Sequence, residues 1–425
     1  ENINGNWEED TVLLAGDGTS PARFGWAVDV KDNYIFIGAD QDPANGIWAG
    51  AAYVYKLDSV SGEWNMHQKI TPDDIQLGDL FGSSVSVSGD KLLIGAKGAD
   101  DNVGAAYIYT NDGTQWVQEA RLTPLNYIGS EPYFGISVGL DGNYAIIGAS
   151  LDDSGGNKSG AAFIFYNDGN SWSQQAKLLS GDVNPDDYFG FSVSLSGEYA
   201  IVGAVNAIHQ TFRSGAAYIF KRSDAQWTEQ IKLLDSNSTI DIAFGASVSL
   251  QGNYALIGVP EDDQNGSHSG TAYIYENDGT DWIELTKLLA SDGVESDRFG
   301  WSVNIDEERA VVGAPVQYAG GLYCGAAYLY EGFVTGIAEL FIPLEFDLYP
   351  VPAKDIVNCQ LSTVNCQFCE VELYDVYGKL VQVLFEGKTS SEEIAFDVSD
   401  LPAGVYFIRM QVGERDGIRK LIIAH

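Results

Sequence analysis

Short runs of alternating apolar and small residues fill the first three quarters of the chain. The run over residues 244–258 is typical, with two strand-like pieces on either side of Gln251-Gly252-Asn253. Gly and Asn tolerate the positive φ that a tight turn requires. The pattern therefore predicts an antiparallel hairpin.

The same hairpin recurs six times, with Phe-Gly at its start and an apolar-Gly-Ala-like step at its end. The steps between successive Phe-Gly pairs are 57, 53 and then 55 residues. A fixed period of this size indicates a repeat architecture and decides the fold. The Phe-Gly pairs begin at Phe24, Phe81, Phe134, Phe189, Phe244 and Phe299, and the second step contains Gly38, Gly95, Gly148, Gly203, Gly258 and Gly313.

Each unit continues with a third strand that begins Gly-Ala-Ala-like and a fourth that begins at Trp. The sixth unit lacks this Trp, whereas Trp7 near the N-terminus has an aliphatic residue six places on, as the other units do. A closed ring of four-stranded units explains this displaced strand, because joined ends leave no exposed sheet edge. We therefore predict an all-β chain whose residues 1–332 form a six-bladed β-propeller closed by the N-terminal strand.

These motifs resemble FG-GAP repeats, the units of the integrin alpha-chain propeller and of many bacterial surface proteins. Calcium-binding members of that family carry an Asp- and Asn-rich loop between Phe-Gly and the Gly-Ala step. Here that place holds only short turns such as Ser88-Gly89-Asp90. The family's metal site is therefore not carried over.

After a predicted linker at residues 333–345, residues 346–425 show a different pattern of short alternating strands, typical of a small antiparallel β-sandwich. This module resembles the C-terminal sorting domain of the type IX secretion system of Bacteroidota. The resemblance rests on Tyr349-Pro350 with Pro352-Ala353-Lys354, Tyr374-Asp375 with Gly378-Lys379, Leu401 with Gly404-Val405-Tyr406, and Lys420-Leu421. It implies Sec export, contact with the type IX machinery and a place outside the cell or on its surface. We also expect Gly404 to supply a backbone shape that only glycine accepts.

The chain has a formal net charge of −37 and a pI near 4.1. Such a charge repels nucleic acid and phosphate-rich membrane surfaces, so neither is an expected partner. No apolar run approaches the ~20 residues of a membrane span. The chain begins at Glu1 rather than Met, which fits a product processed after export.

The acidic residues concentrate in the loops between strands two and three and in the loops between blades. In a four-stranded blade both sets emerge on one face, which we call the acidic face. Its carboxylates have three interpretations: solvated charge, calcium bound outside the family loop, or a site for a cationic or glycan partner. Calcium is the candidate cofactor, and its candidate ligands are Asp40, Asp42, Asp152, Asp153, Asp262 and Asp263.

Aromatic residues in the same loops are the candidate contacts for a sugar or a protein, or else they cover loop backbone. They are Trp48, Phe212, Tyr318 and Tyr323. No nucleophile elbow, phosphate loop or histidine metal motif is present in the sequence, and paired carboxylates recur blade by blade rather than once. We therefore expect a protein that is not an enzyme.

The disulfide candidates are Cys324, Cys359, Cys366 and Cys369, of which the last three lie in the C-terminal module. An exported protein favours a disulfide over a zinc site, and a bridge within the module is the expected one. The expected function is adhesion or binding of a glycan or protein at the cell surface. The alternative is a subunit of an extracellular filament or sheath, in which the C-terminal module contacts a neighbouring copy.

Overall fold

The computed structural model describes two compact units, residues 1–334 and 335–425. The residues described are 2–3, 6–7, 11–17, 22–43, 46–209, 211–235, 241–306, 309–316, 318–319, 322–323, 325–331, 346–349, 351, 353–354, 356–361, 366–374, 379–389, 393–399, 401–412 and 415–424. The division falls inside the predicted linker, whose residues lie outside these ranges.

Within the described residues, the first unit contains five four-stranded antiparallel sheets and one three-stranded sheet, which are the six predicted blades. Blade 1 has strands Ala27–Lys31, Tyr34–Ala39, Ala51–Leu57 and Trp64–Ile70. Blade 2 has Phe81–Ser88, Lys91–Ala96, Ala105–Asn111 and Trp116–Leu122. Blade 3 has Val138–Asp141, Tyr144–Ala149, Ala161–Asn167 and Trp172–Leu178.

The last three blades follow the same order. Blade 4 has Phe189–Ser196, Tyr199–Ala204, Ala216–Ser223 and Gln226–Leu233. Blade 5 has Ser247–Gln251, Tyr254–Val259, Thr271–Asn277 and Trp282–Leu288. Blade 6 has Ser302–Asp306, Arg309–Ala314 and Ala326–Glu331. The remaining elements are the short pairs Asn2–Ile3 with Asn6–Trp7 and Tyr318–Ala319 with Leu322–Tyr323, and one helical turn at Ala99–Asn102.

Glycine at the end of each second strand fixes how closely consecutive blades approach. A Cβ at Gly148 would lie 2.0 Å from the carbonyl oxygen of Gly190 in the next blade, so no larger residue fits. Gly38, Gly95, Gly203 and Gly258 stand in the same relation to the Phe-Gly glycine that follows.

A serine three residues after the Phe of the Phe-Gly pair adds a hydrogen bond across four of these five contacts, and the exception is the contact between blades 1 and 2, where this position is Ala27. Ser137 Oγ donates to the carbonyl oxygen of Gly190 at 2.9 Å, and Ser84, Ser192 and Ser247 make the equivalent bond at 2.8–2.9 Å. The Phe of the Phe-Gly pair is fully buried from Phe81 onward, and its ring meets a third-strand aromatic ring, edge-on for Phe81 with Tyr107 at 5.4 Å and tilted for Phe244 with Tyr273 at 5.5 Å. Blades 1 to 6 are thus joined in order by one repeated set of contacts.

Between blades 6 and 1 the described residues do not make this set of contacts. A Cβ at Gly313 would meet only Ser302 of its own blade, and a Cβ at Gly25 would meet nothing within 4 Å. Val28 and Val30, on the inner strand of blade 1, are 65 % and 62 % exposed. These surfaces are the ones that ring closure would bury.

The N-terminal segment follows only part of the predicted course. Asn6–Trp7 pairs with Asn2–Ile3, and residues 8–10 lie outside the described ranges. The Tyr55 hydroxyl donates to the Leu14 carbonyl at 2.8 Å, just as Tyr330 donates to Leu289 between blades 5 and 6. The end of the N-terminal strand therefore sits against blade 1 where a sixth-blade strand should end, and closure itself stays a prediction.

The second unit has two antiparallel sheets that share one core, as expected for a β-sandwich. One sheet orders its strands Phe346–Tyr349, Ile356–Leu361 and Glu393–Asp397. The other orders them Leu380–Thr389, Cys366–Tyr374, Gly404–Val412 and Arg415–Ile423. Val357, Phe396, Ile408 and Leu421 bury their side chains between them.

The expectation for Gly404 is wrong. It begins a strand outside the left-handed region, and a Cβ there would make only ordinary contacts, the nearest 3.6 Å from the Tyr406 ring. The turn before it is held instead by the Tyr406 hydroxyl, which donates to the Pro402 carbonyl at 3.0 Å.

Candidate functional site

The loops between strands two and three and the loops between blades share one face, as predicted. From Phe81 onward, the backbone N–H of the Phe in each Phe-Gly pair donates to a carbonyl at the end of the preceding blade's strand two-to-three loop. Phe81 donates to Ala49 at 2.9 Å, and Phe189 donates to Ser159 at 2.9 Å. Because the two sets of loops are bonded along their backbones, the acidic face is a continuous surface over the blades that these bonds connect.

Three of the six candidate metal ligands are buried against lysine rather than presented to solvent. Asp152 is fully buried, and Lys177 Nζ donates to both of its carboxylate oxygens, at 3.0 and 2.9 Å. The backbone N–H groups of Ser154 and Ile128 complete its coordination at 2.9 and 3.2 Å. The Asp152 carboxylate is therefore fully hydrogen-bonded.

The same pair recurs in two other blades. Lys69 Nζ lies 3.0 Å from Asp42, and Lys287 Nζ lies 2.9 Å from Asp262. Both aspartates are buried. The expectation of solvated charge is thus wrong for these residues, because each carboxylate is neutralised inside the loop by an ammonium group.

A second carboxylate, from the loop between blades, joins the lysine in some blades. Asp17 accepts from Lys69 at 2.7 Å and from the Tyr53 hydroxyl at 2.8 Å. These hydrogen bonds, that from Lys69 first, hold the pKa of Asp17 below its usual value. Asp182 is placed alike between Lys232 and Tyr218, and although burial acts to raise its pKa, the two hydrogen bonds outweigh burial and the pKa is lowered.

The basic residue in these clusters occupies one repeated sequence position, five residues after the strand-four Trp. Lys69, Arg121, Lys177, Lys232 and Lys287 fill it. Sequence reasoning missed this signal because each lysine lies about 25 residues from its aspartate and on a different element. The period of the repeat makes the position recognisable once it is aligned on the Trp.

This donor set does not suit calcium at Asp42, Asp152 or Asp262. A hard cation needs several free oxygens, and here the ammonium group and backbone N–H groups take them. Among the described residues no group of three or more His, Cys, Asp or Glu side chains stands close enough to hold a metal. A cation at these positions would have to displace the lysine.

The other three candidate ligands have different surroundings. Asp153 and Asp263 each accept a backbone N–H five residues on, from Lys158 and His268 at 2.7 Å, and so shape their own loops. Asp40 is 1 % exposed, its Oδ2 lies 3.8 Å from Arg23, and its Oδ1 has no hydrogen-bond partner. Burial raises the pKa of Asp40 against the opposing fields of Arg23 and Lys97.

Two of the predicted aromatic contacts are exposed on the acidic face. Trp48 is 50 % exposed and Phe212 is 40 % exposed, and both lie in strand two-to-three loops. Tyr318 and Tyr323 pair their backbones in a short hairpin, and their side chains lie outside what is described. The loops thus present two of the four candidate rings to solvent.

The start of the inner strand adds aromatic residues that the sequence analysis did not select. The residue two places after the conserved Phe is Trp26 in blade 1, Phe191 in blade 4 and Trp301 in blade 6. Trp26 and Trp301 are each 48 % exposed, and Phe191 is 40 % exposed. These rings lie at the same edge of the blades as the acidic loops, because Ala27 and Ser302 pair with Gly38 and Gly313 at the ends of the second strands.

The opposite face, where the short turns lie, has a cavity of about 260 Å³ between blades 1 and 2. Tyr34, Phe36 and Trp116 line it beside Lys31 and Asp90. Trp116 is only 3 % exposed and stands edge-on to Phe36 at 5.0 Å. Its ring therefore serves blade packing and offers no free face to a ligand.

The side chains of most disulfide candidates lie outside what the structure describes. Cys359 is buried in the core of the C-terminal module. Cys366 and Cys369 are described by their backbone alone, on the neighbouring sheet, and Cys324 lies outside the described residues. The pairing stays a prediction.

Comparison with known families agrees with this geometry. The FG-GAP repeat family matches residues 7–55, 64–109, 116–165, 172–220, 227–275 and 282–330, more than half of the chain. The chain belongs to the FG-GAP repeat family. The Secretion system C-terminal sorting domain matches residues 347–424.

Similarity to individual proteins is low. No curated protein matches the chain. Sqt1 from Saccharomyces cerevisiae is 10 % identical with a TM-score of 0.37, over 95 % of this chain and 97 % of that one. The β-propeller domain of the Trilobed protease from Pyrococcus furiosus is 12 % identical with a TM-score of 0.41, over 80 % of this chain and 90 % of that one.

The sorting domain assigns this FG-GAP protein to the type IX secretion route and to the outside of the cell or its outer surface. Among the described residues, no helix has the length and apolar character needed to cross a membrane. The two predicted families and the predicted location are thereby confirmed.

Proposed function

We propose that this FG-GAP propeller is a non-enzymatic binding protein of the cell surface, and that its acidic face binds a glycan or a protein. The observation that carries the proposal is the exposure of large aromatic side chains on that face. Trp48 and Phe212 project from its loops, and Trp26, Phe191 and Trp301 stand at the start of inner strands. Exposed aromatic rings on a rigid scaffold are the side chains most enriched at binding sites.

We propose a protein without catalytic activity because three carboxylates of the acidic face are buried and paired with lysine. A general acid or base must reach a substrate in a cleft. Asp42, Asp152 and Asp262 are instead buried under lysine. They recur in blades 1, 3 and 5, as parts of a scaffold do.

Bulky labels attached to one face or the other test whether the acidic face binds the ligand. Asn265→Cys places a thiol on an exposed loop of the acidic face, and Val60→Cys places one on the opposite face, where Val60 is 95 % exposed. Each variant is coupled to a 5-kDa polyethylene glycol maleimide, and wild type treated alike controls for the native cysteines. Binding to intact cells and to glycan and envelope-protein arrays is then measured.

We expect the label at position 265 to abolish binding and the label at position 60 to leave it intact. Equal binding by both labelled proteins would contradict the assignment to the acidic face. Turnover of a bound glycan or peptide by the wild type would contradict the non-enzymatic part.

A second candidate function, a subunit of an extracellular filament, is favoured by the faces of blades 1 and 6 that the described residues leave uncovered. Blade 6 retains Ser302 and Gly313, the residues that join one blade to the next, and blade 1 exposes Val28 and Val30. The two faces are complementary, so blade 6 of one copy can pack on blade 1 of the next, and such a head-to-tail contact propagates. Electron microscopy of the native material distinguishes the functions, because filaments support the subunit and monodisperse particles support the binding protein.

A further inference from the structure

One four-residue sequence, Arg-Phe-Gly-Trp, occurs in two blades that are neighbours in ring order. It covers residues 23–26 in blade 1 and 298–301 in blade 6. Arg23 and Arg298 have φ of 52° and 58°, and Gly25 and Gly300 both have φ of 92°. This left-handed turn places Trp26 and Trp301 at the start of the inner strand with the same exposure, 48 %.

Each tryptophan has a guanidinium group beside its ring. The Arg23 guanidinium lies 4.7 Å from the centre of the Trp26 ring, and that of Arg298 lies 5.5 Å from the centre of Trp301. A cation over the ring holds an exposed indole in one orientation. The two rings are therefore presented as fixed platforms.

A carboxylate accompanies each arginine. Asp40 lies 3.8 Å from Arg23, and Glu261 lies 3.3 Å from Arg298. Asp40 is 1 % exposed and its Oδ1 has no hydrogen-bond partner, which is unusual for a buried carboxylate. The Trp301 platform thus combines a flat apolar surface with the Arg298 donor and the partly exposed Glu261 acceptor. At Trp26 the carboxylate is buried, and Lys97 Nζ lies 5.8 Å from the ring centre as a second cation.

We propose that the two platforms bind a neutral polysaccharide. A pyranose ring has one apolar face, which packs on tryptophan, and a rim of hydroxyl groups, which accept from arginine at both platforms and donate to Glu261 at Trp301. The net charge of −37 repels polyanions, so neutral sugars are favoured over uronic acids. Two platforms favour a polymer over a single sugar, because linked units gain from simultaneous binding.

This proposal rests on the proposed function and names its ligand, so the experiment must separate the two. Dextran, β-1,3-glucan and mannan are each presented to the full chain in affinity gel electrophoresis, and any polysaccharide that retards it is measured by calorimetry. Polygalacturonate is the charged counterpart. The variants are Trp26→Ala, Trp301→Ala and their double, with Val60→Ala as the control, because Val60 is 95 % exposed on the opposite face.

We expect at least one neutral polysaccharide to bind, the double variant to lose at least tenfold in affinity, and Val60→Ala to bind like wild type. If an alanine variant proves less stable than wild type, Trp26→Tyr is used as well. Tyrosine keeps an aromatic face, so this variant should recover most of the lost affinity. The proposal is overturned if no neutral polysaccharide binds, if polygalacturonate binds best, or if the double variant binds as tightly as wild type. In the last case, continued block by the label at position 265 would preserve the proposed function and locate its site elsewhere on the face.

Discussion

The residue that most changes the interpretation of the acidic loops is the basic residue five places after the strand-four tryptophan, which is a lysine in blades 1, 3, 4 and 5 and Arg121 in blade 2. In blade 3 it holds a carboxylate that is fully buried, Asp152, in a pair only 2.9 Å long. The sequence suggests a metal ligand here because an aspartate in a loop has no visible partner. Only the fold brings Lys177, on another strand, into contact with it.

Removing this lysine should be costly. Lys177→Met leaves the buried Asp152 without a counter-ion, and breaking one side of such a pair typically costs about 3 kcal/mol of unfolding free energy. Chemical denaturation measures the loss. Lys158→Met, at an exposed position of the same loop, is the control and should stay within about 0.5 kcal/mol of wild type.

The double variant Asp152→Asn/Lys177→Met provides the check on mechanism. It should recover part of the loss, because the uncompensated charge is gone. A double variant as unstable as the sum of its single variants would contradict the ion-pair account.

The same pairing predicts how the protein responds to calcium. Since lysine already neutralises Asp42, Asp152 and Asp262, calcium and a chelator should give melting temperatures within about 1 °C of each other at moderate salt. A ligand that binds only the folded state would raise the melting temperature by mass action. A chelator-induced drop that disappears in Asp152→Asn/Asp153→Asn would show that these loops bind the ion after all.

Asp29 provides a residue-scale test by pH. It occupies a position filled by Ser86, Ser194 and Ser249 in other blades, and it accepts from the Val87 backbone N–H at 2.7 Å. Burial raises its pKa to about 6, against the opposing hydrogen bonds from backbone N–H groups. The folded state therefore holds a proton between about pH 4 and 6 that the unfolded chain has released, and stability falls as pH rises through that window.

Asp29→Ser keeps the hydrogen bond and removes the titration. Relative to wild type, the variant should become increasingly more stable between about pH 4 and 6, and the difference should then level off. Thermal unfolding at several pH values measures it. A difference that does not change with pH would contradict the raised pKa.

At the scale of elements, the sequence is most informative about the motifs that recur at the same position in every repeat. Phe-Gly and Gly-Ala are confirmed because each is set by contacts that recur between consecutive blades from 1 to 6, and the four-strand order is confirmed in blades 1 to 5. The predictions that fail concern single residues. The shape expected of Gly404 came from its place in a predicted turn before a strand, and the structure leaves that residue in ordinary extended surroundings.

The contact between consecutive blades predicts one strong substitution effect. Gly148→Ala would place a Cβ 2.0 Å from the Gly190 carbonyl oxygen, and backbone cannot move aside as a side chain can. We expect a loss of more than about 3 kcal/mol, at the upper end of overpacking effects. Gly16→Ala, where a Cβ would meet nothing within 4 Å, is the control and should change little in urea denaturation.

At the scale of the whole molecule, the central claim is that six blades form a ring in which blade 6 packs on blade 1. The repeat supports it, because Gly313 matches the glycine used in all five other contacts and Ser302 matches the serine used in four of them, and Leu14 already sits against Tyr55. The ring would also bring the two Arg-Phe-Gly-Trp platforms onto neighbouring blades of one surface. The sequence could predict the closing contact but not whether it forms within one chain or between copies, since both use the same residues.

The most direct test is thermal unfolding of Gly313→Ala beside Gly148→Ala, at a concentration where light scattering shows a monomer. In a closed ring, a Cβ at Gly313 meets the Gly25 carbonyl as one at Gly148 meets Gly190. A closed ring predicts that the two variants show similar decreases in melting temperature. A monomeric Gly313→Ala protein that melts like wild type, while Gly148→Ala is strongly destabilised, would contradict closure of the ring.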